Sequence, residues 1–159
     1  LQDTKIFQGT IRENIAYGKP NASIEEIKQA AELSFANTFI EKLPDGYDTY
    51  ISNSDMLSEG EVQLLNIARI MLKKPPILIL DEATSNIDLL TEDMIKKAIL
   101  ELTSNSTSII IAHRLSTIKN CDFIVFIEDG NIVEVGTHDE LINKKGAYYN
   151  MYKSQFNLI

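Results

Sequence analysis

Apolar residues along the chain alternate between helical spacing and short unbroken runs. Ile24, Ile27, Ala30, Ala31 and Phe35 recur at helical spacing within "NASIEEIKQAAELSFANTFIEKL", with Ser23 placed to cap the start. Ahead of them the first residues look extended, and "GTIRENIAYG" reads as a short helix ending at Gly18. "PDGYD" is a turn and "SNSD" a polar loop. A longer helix is predicted from Ser58 to about Lys74, where Pro75-Pro76 stops it. "ILILD" then has strand length and no polar interruption, which suits a strand buried on both faces. "LLTEDMIKKAILELT" returns to helical spacing, "TSIIIAH" to strand, and "LSTIKNC" to a short helix. "DFIVFIE" and "NIVEVG" are strands joined by Asp129-Gly130, a strong hairpin signal. "THDELINKKGAYYNMYKSQF" reads as two helices broken at Gly146. Buried-type strands alternating with helices predict α/β layers around a parallel sheet, with a largely helical first third as a subdomain.

Composition narrows the class. The chain has 159 residues, one domain's worth or part of one, with 23 acidic and 15 basic side chains and a net charge of −8. That balance disfavours a nucleic-acid surface. Cys121 is the single cysteine, so no disulfide framework exists within the chain. No apolar run approaches the ~20 residues of a membrane helix. The sequence opens inside "LQDTKIFQGTIRENI" without a methionine and reads as a piece of a longer protein.

Two stretches carry candidate chemistry. In "LSEGE", Ser58 at a helix start with Glu61 three residues on is a capping box. The same exposed N–H groups suit an anion, although Glu59 and Glu61 are themselves acidic. In "ILILDEATSNID", a buried strand ends in adjacent carboxylates at the sheet edge where α/β folds bind ligands. Asp81 is suited to Mg²⁺, a hard cation that takes oxygen ligands, and Glu82 to orienting or deprotonating a water. Asp88 is suited to capping the following helix. Taken singly, His113 and His138 read as structural histidines, and Tyr148, Tyr149 and Tyr152 as packing for the last helix.

Together these stretches resemble the ABC-type ATPases. "LSEGE" resembles the signature motif, "ILILDE" the Walker B strand, and "SNID" the D-loop. His113 in "IIIAHRLST" is similar to the switch histidine and Gln2 to the Q-loop glutamine. The match runs in family order over essentially the whole chain. It implies a partial P-loop NTPase (RecA-like) α/β core with the ABC α-helical subdomain. The implied layout is a Q-loop region over 1–19, a helical subdomain with the signature over 20–75, and Walker B, D-loop, H-loop and the end of the core over 76–159.

The resemblance further implies ATP and Mg²⁺ as cofactors. Asp81 and Gln2 would serve the metal, Glu82 would be the catalytic base, and His113 would contact the γ-phosphate. Ser58 and Gly60 would clamp an ATP held by a second nucleotide-binding domain, and Asp88 would communicate across that interface. "GTIRENIAYG" and "AHRLST" point to exporters, hence to a transmembrane domain as partner and to the cytoplasmic face of a bacterial membrane. Chromosome-structure and DNA-repair ATPases flank the signature with long coiled coils, which this sequence lacks, and translation-associated tandem members fit the exporter-like strings less well. The alternative to an enzyme is an interaction or regulatory module.

Three departures sharpen the expectations. No G-x-x-x-x-G-K-[ST] occurs, since glycines stand only at 9, 18, 46, 60, 130, 136 and 146. The phosphate-binding loop is therefore expected upstream of Leu1, the chain alone is expected to be inactive, and the face of the Walker B strand is expected to be left apolar and uncovered. Glu59 and Glu61 replace a Gly and the Gln of the usual L-S-G-G-Q, which favours a heterodimer over a homodimer and a silent site at this signature. "YDTYISNSDM" departs from the exporter stretch that touches the membrane domain, which puts that contact in question.

Overall fold

The computed structural model describes residues 5–81, 87–104, 106–111 and 118–155. They fall into two compact units, Leu1–Ile111 and Ala112–Ile159.

The first unit begins with strand β1 (Gly9–Thr10) and helix α1 (Ile11–Ala16). Thr10 caps α1 by accepting the Glu13 N–H, while the Glu13 carboxylate takes the Thr10 N–H at 2.7 Å. Helix α2 (Ile24–Leu33) has the same reciprocal cap, with Ser23 and Glu26 as partners. The helical pattern through Phe35 and beyond is not one helix. Phe35 takes φ 62°, the left-handed region, and a short helix α3 (Asn37–Ile40) follows. The break has a local cause: Ser34 Oγ donates to the Ala31 carbonyl and accepts the Ala36 N–H, while the Phe35 side chain packs onto the core. Strand β2 (Tyr50–Ile51) then pairs antiparallel with β1.

Helix α4 (Glu59–Lys73) is the axis of this unit. Leu64, Leu65, Ile67 and Ala68 on it are at most 2% exposed and pack with Ile11, Ile15, Ile27 and Ala31. Lys74 closes the helix in the left-handed conformation, φ 49°, just before the two prolines. Strand β3 (Ile77–Asp81) runs parallel to β4 (Thr107–Ile111), joined by helix α5 (Leu89–Ser104).

Strand β3 is not buried on both faces. Leu78 and Leu80 join the core with Ile95, Ile99 and Leu102, but Ile77 and Ile79 are each 64% exposed. Ile109 and Ile111 on β4 are also exposed. The run is apolar on both faces while this unit covers only one, leaving the open sheet face expected above.

In the second unit β5 (Ile124–Glu128) and β6 (Asn131–Gly136) form the hairpin, with Asp129 and Gly130 both at positive φ as a primed turn needs. Helices α6 (His138–Lys144) and α7 (Ala147–Gln155) follow, separated by Lys145 and Gly146. Tyr148, fully buried, packs with Ile124 and Leu141. No helix among the described residues is long and apolar enough to cross a membrane.

Candidate functional site

The start of α4 carries Ser58 and Gly60. Ser58 is extended (φ −65°, ψ 158°) and exposed, and its Oγ accepts the Glu61 N–H at 3.3 Å. Glu61 Oε2 in turn accepts both the Ser58 N–H at 2.8 Å and the Ser58 hydroxyl at 2.9 Å. The capping box is therefore present, and one carboxylate oxygen takes both donors of Ser58. Glu59 lies in the same first turn and is exposed. The first-turn N–H groups of Glu59 and Gly60 have no acceptor within the helix.

Gly60 is buried against α5: a Cβ there would overlap Thr91 Cγ2 and lie 3.3 Å from Ile87 Cγ2. Its lack of a side chain is thus a packing requirement. Thr91 is also where Asp88 acts. Asp88 Oδ1 accepts the Leu90 N–H at 3.1 Å and the Thr91 N–H at 3.0 Å, capping α5. Hydrogen bonds from Thr91, its hydroxyl first, hold the Asp88 carboxyl below the ordinary aspartate range. Two expected site residues, Gly60 and Asp88, are so brought to neighbouring helix starts through Thr91.

Asp81 is the last residue of β3 and pairs with Ile111 at the end of β4. The parallel ladder places it half-buried at the carboxyl edge of the strand pair, where an α/β fold binds ligands. Its oxygen donors suit Mg²⁺, which commonly takes one or two carboxylates and completes its shell with phosphates and water. Among the described residues no group of three or more His, Cys, Asp or Glu could hold a metal by itself. Gln2, Glu82 and His113 lie outside the described residues.

A polar network at α4 was not anticipated from the sequence. Arg69 Nε donates to the Asn14 carbonyl at 2.7 Å, and its two terminal nitrogens donate to Asn14 Oδ1 at 2.6 Å, Asn66 Oδ1 at 2.7 Å and the Lys5 carbonyl at 2.8 Å. The guanidinium lies 5.3 Å from the Phe7 ring centroid, and Phe7 stacks on Tyr17. Asn14, only 2% exposed, also accepts the Phe7 N–H and donates to the Phe7 and Thr10 carbonyls. Burial lowers the Arg69 pKa from its ordinary value, with Tyr17 opposing, but an arginine stays charged. The available signal was polar residues within apolar stripes: Asn14 beside Ile15, and Asn66 between Leu65 and Ile67.

In the second unit, His138 and the tyrosines at 148 and 152 pack together. His138 Nδ1 lies 2.8 Å from the Tyr148 hydroxyl, and Tyr152 packs beside both. Glu134, 6% exposed, accepts the Tyr148 N–H at 2.9 Å and pairs with Lys144 at 3.4 Å. Burial pushes the Cys121 thiol above its ordinary value, so it is protonated near neutral pH.

Residues 1–85 match the family model described as ABC transporter. The chain is 53% identical over 157 residues to the "uncharacterized ABC transporter ATP-binding protein YfiC" of Bacillus subtilis (strain 168), an alignment covering 98% of this chain and 26% of that protein. It is 52% identical over 155 residues to a putative multidrug export ATP-binding/permease protein of Staphylococcus aureus (strain NCTC 8325 / PS 47), covering 97% and 27%. The solved structure of a bacterial Atm1-family ABC exporter with ATP bound superposes with a TM-score of 0.84 at 42% identity, covering 97% of this chain and 27% of that one. The chain thus spans about a quarter of the length of the curated relatives it matches.

Proposed function

The chain belongs to the ABC transporter family, and from that premise we propose that it is the C-terminal part of the ATP-hydrolysing domain of a bacterial exporter. The observation that carries this reading is the pairing, within one unit, of an anion-suited helix start at Ser58 and a parallel strand pair ending at Asp81. The proposed layout keeps the Q-loop region at 1–19, the signature-bearing helical subdomain at 20–75, and the rest of the core at 76–159.

On this reading Asp81 and Gln2 would hold Mg²⁺, which would supply charge neutralisation on the transferring phosphoryl group. Glu82 follows Asp81 in sequence and orients or deprotonates the attacking water. His113, two residues beyond the end of β4, contacts the γ-phosphate. Ser58 and Gly60 face an ATP held by a second nucleotide-binding domain, and Asp88 reports on that contact from the start of α5. Closure of the paired domains drives an attached transmembrane domain from the cytoplasmic face, as binding energy biases a two-state element. The uncovered side chains Ile77, Ile79, Ile109 and Ile111 support a further domain segment, carrying the phosphate-binding loop, lying on that sheet face.

One observation favours a specific variant of this function. The Ser58 hydroxyl and N–H, the donors a phosphate oxygen would use, both go to Glu61 Oε2. A carboxylate there also repels a triphosphate. The site completed by this signature is therefore proposed to be silent, and the partner domain to differ from this one, as in a heterodimer.

Equilibrium ATP binding tests the assignment. A longer protein that includes the segment preceding Leu1 is expected to bind MgATP, and the 159-residue chain to bind it at least a hundredfold more weakly, roughly the loss of ~3 kcal/mol of phosphate contacts. Equal binding by the two would refute it.

A further inference from the structure

We propose that Arg69 is a positioning residue that locks the Lys5–Phe7 segment onto helix α4, so that the chain just after Gln2 and the helix bearing Ser58 and Gly60 move as one body. The proposal rests on the functional reading only for the roles of Gln2, Ser58 and Gly60. The lock itself is a matter of geometry.

Four hydrogen bonds fan out from one guanidinium, and their acceptors lie on separate pieces of chain. Asn66 is on α4 itself, Asn14 is on α1, and Lys5 lies on the irregular lead-in to β1, three residues beyond Gln2. The contact to Lys5 bridges 64 residues of sequence and Phe7 seals the cation from above, so the lead-in is gripped at two points. Backbone packing brings the pieces close: a Cβ on Gly18, just past α1, would overlap the Arg69 carbonyl oxygen. Only a planar fork reaches these acceptors together, and a lysine ammonium has no such geometry.

The network is expensive by the standards of a core. All four acceptors of Arg69 are neutral, and no carboxylate pairs with it among the described residues. Asn66 is 8% exposed, gives its Oδ1 to Arg69, and finds no partner for its Nδ2 among the described residues. An apolar residue at 66 and another at 69 would pack α4 against α1 without an unsatisfied donor or a partly desolvated charge. Local rules are broken in this way where a site needs positioning. The two elements so joined are those that the functional reading assigns to sensing nucleotide in this domain and clamping it in the next.

Amide hydrogen exchange on the longer protein assembled with its partner domain, with ATPase kinetics on the same samples, tests this. Arg69→Lys keeps the charge and removes the fork; Phe7→Leu, at a position 41% exposed, removes the ring without threatening the fold. Arg69→Lys is expected to speed exchange of residues 5–10 about tenfold, the loss of a charged hydrogen bond, while residues 62–73 keep their protection. Phe7→Leu is expected to do the same to a smaller degree. Turnover should fall several-fold in both, with KM for ATP changed by less than about twofold. Unchanged exchange at residues 5–10, or equal loss of protection across α1 and α4, would overturn the proposal. A wild-type protein without ATPase activity would instead sink the functional reading, and the exchange data would still decide whether Arg69 is the lock.

Discussion

Gly60 offers the sharpest test of the packing that sets the candidate site. Gly60→Ala places a Cβ where Thr91 Cγ2 already sits, with Thr91 Cβ and Ile87 Cγ2 each 3.3 Å away. Two opposing effects follow. Alanine is the better helix former by about 1 kcal/mol in a helix interior, and by less in the first turn. Overpacking a tight contact costs about 1–3 kcal/mol, because α4 or α5 must shift. The clash is with a methyl on a β-branched side chain that cannot rotate freely, so the penalty is expected to win by about 1–2 kcal/mol. Urea unfolding of the chain reads this as a midpoint lower by roughly 0.5–1 M. Thr91→Ser deletes the offending methyl and keeps a hydroxyl and an N–H for Asp88. The double variant should therefore recover most of the loss, a coupling of at least about 1 kcal/mol. Gly60→Ala at wild-type stability, or a double variant no better than the sum of its parts, would refute the account of why glycine stands at 60.

Other perturbations follow from the same geometry. Lys74→Gly relieves the left-handed C-cap of α4 at an exposed position and is expected to raise stability by about 1 kcal/mol in urea unfolding. Asp88→Ala should destabilise the chain at neutral pH. Because the folded-state pKa of Asp88 is depressed, its contribution is present above the unfolded aspartate value of about 3.9 and fades as pH falls through the lower folded value, so the two proteins should converge in acid unfolding curves. Ile79→Thr is expected to change the stability of this chain by less than about 0.5 kcal/mol in urea unfolding. The same change should cost a longer protein about 2 kcal/mol or more if another segment covers that face. Glu61→Gln with Glu59→Gly in the longer protein should leave turnover nearly unchanged if the site is silent, and a large gain would show a competent but impaired site.

Much of this fold was legible because its signals are local. The caps at Ser23, Ser58 and Asp88 need only a short side chain and the next few N–H groups, and each lies where the sequence placed it. The hairpin at Asp129-Gly130 follows from the φ values those residues tolerate. What was legible only in part was non-local. The apolar run at 77–80 suits burial on both faces, but burial of Ile77 and Ile79 depends on what lies across the sheet, and they are exposed here, in line with the uncovered Walker B face expected from the sequence. Helical periodicity through Phe35 was real, yet Ser34 diverted the backbone and left an aromatic residue at positive φ. In the candidate site, Ser58, Gly60, Asp81 and Asp88 were recognisable as motif residues, while Arg69 was not. Its partners come from distant chain segments that no local pattern announces.

The central claim is that this chain carries the hydrolytic carboxylate of an ABC-type ATPase and requires a preceding segment to use it. Magnesium-dependent ATP hydrolysis, compared across the longer protein, its Glu82→Gln variant and the 159-residue chain, tests it most directly. The account predicts turnover by the longer protein assembled with its partner domain, a fall of at least about a hundredfold on losing the general base, and none by the chain alone. Turnover by the chain alone, or a Glu82→Gln variant as active as wild type, would contradict it.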